Sequence, residues 1–138
     1  MRKPARRLRI LAVAMGGVLL MLSGPAEVAL SHEFDAASTI TLEASKNRVK
    51  KKGKVTFSGQ VSSPQADCLG GRQVTLVGHK VKSTTTGANG SWSIRLRPGR
   101  TSRWVAMVTG EASGLHPHRH VCGGDVSNAV QVKVKRRR

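Results

Sequence analysis

Between residues 39 and 135 apolar side chains return at every second position, and no segment holds an apolar period of 3.6 residues. A chain patterned this way builds strands that bury one face and wet the other, and it cannot settle into amphipathic helices. Ile40, Leu42 and Ala44 alternate with Thr39, Thr41 and Glu43, and Val55, Phe57, Gly59 and Val61 alternate with Thr56, Ser58 and Gln60. Val74 and Leu76 mark a third strand, and the β-branched stretch 83–86 a short one or an edge. Trp92, Ile94 and Leu96 then alternate with Ser93, Arg95 and Arg97, followed by Trp104, Ala106 and Val108, and finally Val130, Val132 and Val134. The intervening segments 46–54, 62–71 and 110–125 read as a charged turn and two loops, the last one long. Asn89-Gly90 between two β-branched or aromatic runs is a strong hairpin signal, because both residues tolerate positive φ. About seven short strands with turn signals every ~8–12 residues predict an all-β, antiparallel sandwich.

The first 31 of the 138 residues stand apart from this pattern. Arg2, Lys3, Arg6, Arg7 and Arg9 precede an uncharged run from Ile10 to Leu22, and Ser23-Gly24-Pro25 and the small residues Ala26, Ala29 and Ser31 follow. A basic start, a short apolar stretch and a small-residue cleavage zone constitute a helical secretory signal peptide, cut between 26 and 31. The alternative is an uncleaved membrane anchor, but a spanning helix wants about 20 apolar residues and this run is shorter. The expected organisation is therefore a signal peptide over 1–31, a polar lead-in over 32–37, and one secreted domain over 38–138 with a basic tail.

The signal segment holds five of the chain's 24 Lys and Arg and one of its seven Asp and Glu, so its removal leaves a formal charge of +13. Such a bias draws polyanions at low salt. The cations cluster in three groups: Lys50, Lys51, Lys52 and Lys54; Arg95, Arg97, Arg100 and Arg103; and Lys133, Lys135, Arg136, Arg137 and Arg138. Sequence alone leaves open whether these share one face. Single-strand nucleic acid binders set such charge among stacking aromatics. Here Tyr is absent, and Phe57, Trp92 and Trp104 are phased inward, which argues against sequence-specific nucleic acid recognition. The sequence names no partner; an anionic cell-envelope polymer or another surface protein is compatible with the charge.

Cys68 and Cys122 are the only cysteines. An exported chain with an even count predicts one disulfide between them, the alternative being two free thiols or a thiol nucleophile beside His120. The segment His116-Pro117-His118-Arg119-His120 sets three imidazoles at alternate positions, able to converge on a metal if the segment is extended. Arg119 among them opposes a cation, and the nearest carboxylates in sequence are Glu111 and Asp125. Extracellular metal binding through His116, His118 and His120 is therefore the alternative to a charge-driven binding module. Signatures of catalysis are lacking: no G-x-S-x-G elbow, H-E-x-x-H pair, phosphate-binding loop or C-x-x-C box occurs. A Ser–His–Asp arrangement would require His79 or a loop histidine to lie beside an acid. The expectation is a protein without catalytic activity and without a cofactor.

The series Val74, Leu76, Thr86, Gly90, Trp92, Ile94, Leu96 and Pro98 resembles the "V-x-L … T-x-x-x-G-x-[FW]-x-[IL]-x-L-x-P" pattern of prealbumin-like domains related to the carboxypeptidase regulatory domain. With "KKKGKVTFSGQVSSP" before it and "CGGDVSNAVQVKVKRR" after it, the whole of 38–136 resembles small secreted bacterial immunoglobulin-like modules. The resemblance implies an Ig-like or prealbumin-like sandwich, and a spacer, adhesion or binding role rather than catalysis. Its motifs are turns and core alternation, so it speaks to fold more than to activity.

Overall fold

A computed structural model describes residues 34–113 and 119–136; residues 1–33, on which the expected signal peptide falls, lie outside the described residues. The described chain is all-β, with one 3₁₀ turn at Ala66–Cys68. Its strands are β1 (Phe34–Ala36), β2 (Thr39–Ile40), β3 (Glu43–Ala44), β4 (Arg48–Lys50), β5 (Val55–Ser62), β6 (Gln73–Val77), β7 (Val81–Thr85), β8 (Ser91–Leu96), β9 (Ser102–Val108), β10 (Glu111–Ser113), β11 (His120–Cys122), β12 (Asp125–Val126) and β13 (Val130–Lys135).

Alternation in sequence becomes alternation in burial. Along β8 Trp92, Ile94 and Leu96 are buried while Ser91, Ser93 and Arg95 are exposed. β5 buries Val55, Phe57 and Val61, and β9 buries Trp104, Ala106 and Val108. One sheet joins β2 and β3 to β5 and β5 to β8; a larger one runs β4-β13-β9-β6-β7, with β12 also on β9. Their apolar faces meet in one core, in which the Phe57 and Trp104 rings lie 4.9 Å apart at 43°. Gly59, opposite Trp92, is small by necessity, since a Cβ there would overlap the Thr41 carbonyl and approach the Trp92 indole nitrogen to 2.9 Å.

Several segments differ from the sequence-based expectation. β2 and β3 keep one register on β5, Thr39 opposite Ser62 and Ala44 opposite Phe57, so they are one interrupted strand. β12 and β13 are also one strand on β9, but slipped by a residue around Ser127, whose hydroxyl accepts from the Ala106 N–H at 2.9 Å. The charged turn contains β4, which buries Val49 and pairs with β13 in parallel. The expected long loop contains β10 and β11, and β11 also pairs in parallel with β1. The antiparallel expectation therefore holds except at these two edges. Asn89-Gly90 does turn, with Gly90 at φ 84°, but it joins β7 in one sheet to β8 in the other instead of closing a hairpin. It is docked there by Val61 N–H donating to the Gly90 carbonyl at 2.8 Å.

The small sheet β1-β11-β10 caps one end of the sandwich, and the Cys68–Cys122 disulfide lies beneath it, with the Cα atoms 5.5 Å apart. Beside it is Arg72, only 1% exposed. Gly71, at φ 69°, makes the turn that precedes this residue. One guanidinium nitrogen donates to Ser38 Oγ (3.2 Å) and the Cys68 carbonyl (2.9 Å). The other donates to the carbonyls of Thr109 (2.7 Å) and Gly123 (2.8 Å), and Nε faces Glu111 Oε2 at 3.7 Å. Thr86 completes the joint: its hydroxyl accepts from Arg72 N–H at 2.9 Å and donates to the Leu69 carbonyl.

Replacing this arginine leaves the buried Cys68 carbonyl and the part-buried Thr109 and Gly123 carbonyls short of charged donors, and a lost charge-assisted bond or an unsatisfied buried acceptor costs about 1–3 kcal/mol. Arg72→Met is expected to lose at least ~3 kcal/mol of unfolding free energy in urea titration. Arg72→Lys is expected to recover little of it, because a single ammonium lacks the two-pronged reach. A loss below about 1 kcal/mol for Arg72→Met, the ordinary range for a surface position, would remove Arg72 from this role.

Candidate functional site

The turns at the end opposite the disulfide collect most of the cations. The β4–β5 turn (51–54), the β6–β7 turn (78–80), the β8–β9 loop (97–101) and the end of β13 all lie there, because β5, β7 and β9 begin at this end while β4, β6, β8 and β13 finish at it. They bring together Lys50, Lys51, Lys52, Lys54, Lys80, Arg97, Arg100, Lys135 and Arg136, all exposed. Four of the five described acidic side chains, Asp35, Asp67, Glu111 and Asp125, lie at the disulfide end; Glu43 is the fifth.

On the outer face of the larger sheet the cations stand directly opposite one another. Lys133 pairs with Arg48 and Lys135 with Lys50. Arg103, opposite Gln131, continues the row. Like charges set opposite one another on a sheet face are destabilising. Lys52 adds a second unfavourable feature: at φ 71° it holds a left-handed conformation that Gly or Asn adopts more readily. Arg95 departs from the group, since it projects from β8 on the outer face of the other sheet. Arg137 and Arg138 lie outside the described residues.

Main-chain ties fix the spacing of this end. Lys51 N–H donates to the Lys135 carbonyl at 3.2 Å, and Val134 N–H donates to Thr101 Oγ1 at 2.9 Å. Between them is a groove of about 490 Å³ lined by Lys51, Gly99, Arg100, Thr101, Val134 and Arg136. The β8–β9 loop is latched from the side by His79, whose Nε2 accepts from Gly99 N–H at 3.1 Å. An Nε2 that accepts carries no proton, so the neutral ring holds its proton on Nδ1 and donates it to Ser102 Oγ, 2.9 Å away. The ring also stands edge-on to Trp104, with centroids 5.1 Å apart. Sequence reasoning marked His79 only as a possible member of a triad, yet the partners found for its ring are Ser102 and Gly99, not a carboxylate.

The histidine segment is described only in part. His116 and His118 lie outside the described residues, while His120 is in β11, half-buried, with Nδ1 3.6 Å from Asp67 Oδ2. The disulfide formed by Cys68 and Cys122 agrees with the expectation for these residues. Arg72, the most connected side chain at that end, carried no mark in the sequence. The Gly70-Gly71 pair ahead of it and the cysteine four residues back are the only local signals it has.

No family model matches this chain, and no curated protein matches it. Among solved structures it is similar to the sulfur carrier protein SoxY from Chlorobium limicola f. thiosulfatophilum, at 14% identity over 72% of this chain and 84% of that one, with a TM-score of 0.43. A likeness that distant carries no functional argument. Among the described residues, no helix is long and apolar enough to cross a membrane.

Partial burial, and after it the nearby Arg100 and Lys80, hold the His79 pKa below its ordinary value of 6.5. As pH falls through 6.5 the unfolded chain takes up a proton that the folded protein still refuses, so stability present above that pH is lost toward the lower folded value. Thermal unfolding scans are expected to show this decline between neutral and mildly acidic pH, and His79→Gln is expected to flatten it. An equal slope in that variant would assign the decline to other groups.

Proposed function

We propose that this chain is a secreted, non-catalytic immunoglobulin-like module that attaches to anionic polymer at the cell envelope through its cationic end. The observation that carries this reading is the pairing of Lys133 with Arg48 and of Lys135 with Lys50 across adjacent strands. Folding sets these charges against each other, and a bound polyanion converts the repulsion into attraction. The left-handed Lys52 points the same way, since charge is kept there at the expense of backbone comfort.

The Ig-like part of the reading is supported by strand order. A first strand that passes from one sheet (β2–β3) to the other (β4), and a last strand (β13) lying between β4 and β9, suit an immunoglobulin-like sandwich. The disulfide departs from the usual inter-sheet bond, since it joins a loop to the capping sheet at one end. Export is supported by that bond, which persists in oxidising compartments, together with the three-part leader. The absence of catalysis is supported by the direction of the His79–Ser102 bond: a histidine that donates to a serine hydroxyl is not removing its proton.

The test is binding to an immobilised anionic polymer over a range of ionic strength. The purified protein is expected to bind at low salt, with affinity falling steeply toward physiological salt. Lys50→Glu combined with Lys133→Glu places an acid beside one cation of each pair. That variant is expected to bind far more weakly and yet unfold at an equal or higher temperature, with each corrected pair worth a few tenths of a kcal/mol or more, up to ~1. Salt-independent binding, no binding at low salt, or undiminished binding by the variant would each reject the reading.

A further inference from the structure

The groove at the cationic end is more particular than a diffuse positive surface. Lys51 comes from the β4–β5 turn, Arg100 from the β8–β9 loop and Arg136 from the end of β13, so its three cations reach it from three segments remote in sequence. Among the described residues, no acidic side chain lines it. The segments are fastened to one another by Lys51 N–H to the Lys135 carbonyl and by Val134 N–H to Thr101 Oγ1. The His79 latch on Gly99 holds the third side. The spacing of the three backbone segments is thus set by the fold before any ligand arrives, which removes the cost of ordering those segments from binding.

On the premise that the cationic end is the polymer-binding surface, we propose that this groove seats a tetrahedral oxyanion, a phosphate or sulfate group carried by the polymer. Its preference runs against carboxylate. A planar carboxylate has two oxygens and is satisfied by one guanidinium fork. A tetrahedral group presents oxygens in several directions, so two guanidinium forks and an ammonium arriving from different sides can all be engaged. Thr101 adds to this set, because a hydroxyl that accepts from Val134 N–H still has its own proton to donate. The volume of about 490 Å³ is that of a small-molecule site and admits the unit bearing the anion as well as the anion itself.

The probes are polyphosphate, dextran sulfate and polyglutamate of matched charge number, titrated onto the purified protein at fixed ionic strength. Polyphosphate or dextran sulfate is expected to bind at least ~10-fold tighter than polyglutamate, and the better of the two identifies the source of the oxyanion. Arg100→Ala and Arg136→Ala are each expected to erase that preference. Lys52→Ala and Lys80→Ala, which remove the same charge outside the groove, are expected to weaken all three polymers alike. All four positions are exposed, and an unchanged circular dichroism spectrum confirms that each variant folds. Equal affinity for the three polymers, or a groove variant that behaves like Lys52→Ala, overturns the oxyanion seat and leaves the charged surface standing. Failure of every polymer to bind at low salt overturns both.

Discussion

An arginine enclosed to 1% exposure needs acceptors within the protein, and the two terminal nitrogens of Arg72 find them on four segments that sequence keeps far apart, while Nε has the Glu111 carboxylate at 3.7 Å. Ser38 lies between β1 and β2, Cys68 in the 3₁₀ turn, Thr109 at the exit of β9 and Gly123 at the exit of β11. The Ser38 hydroxyl and the Cys68 carbonyl are buried there, and the Thr109 and Gly123 carbonyls are part-buried. The planar fork fixes the directions from which they approach, so one side chain sets the mutual position of all four. The disulfide joins two of the same segments, and the capping sheet β1-β11-β10 lies over both. The strands of the sandwich have an apolar core to hold them; this end has a guanidinium and one covalent bond.

That arrangement explains where the sequence was legible. Core positions were read correctly wherever three or more apolar residues alternate, as at Trp92, Ile94 and Leu96 or at Trp104, Ala106 and Val108. β4 carries no period in the sequence, because its inward side chain, Val49, stands alone among polar and basic residues. β10 and β11 are held by main-chain pairing, Cys122 and Arg72, none of which leaves an alternating trace. Arg72 itself follows two glycines and so resembles any surface turn residue. The gathering of the cations was hidden for a related reason. It depends on the parallel pairing of β4 with β13, segments more than 80 residues apart, and no local pattern encodes such a contact.

The two ends therefore differ in how they are held as well as in charge. At the disulfide end a buried cation is surrounded by acceptors, and its neighbours include exposed acids such as Glu111. At the opposite end exposed cations face each other, and main-chain bonds and the neutral His79 keep their segments in place. A protonated His79 could not accept from Gly99, so the burial and the neighbouring Arg100 and Lys80 that keep this ring neutral also preserve the latch on the β8–β9 loop.

Among the described residues, nine exposed cations stand at one end of the strands and four carboxylates, beside Arg72 and Arg119, at the other, so charge is separated along the strand direction. Near a negatively charged boundary such a body feels a torque as well as a pull. It turns while still separated from the boundary by about a Debye length, ~8 Å at physiological ionic strength, and arrives already aligned. Encounters that would otherwise be lost to wrong orientation become productive, so the charge separation acts on the rate of association before any contact contributes to affinity.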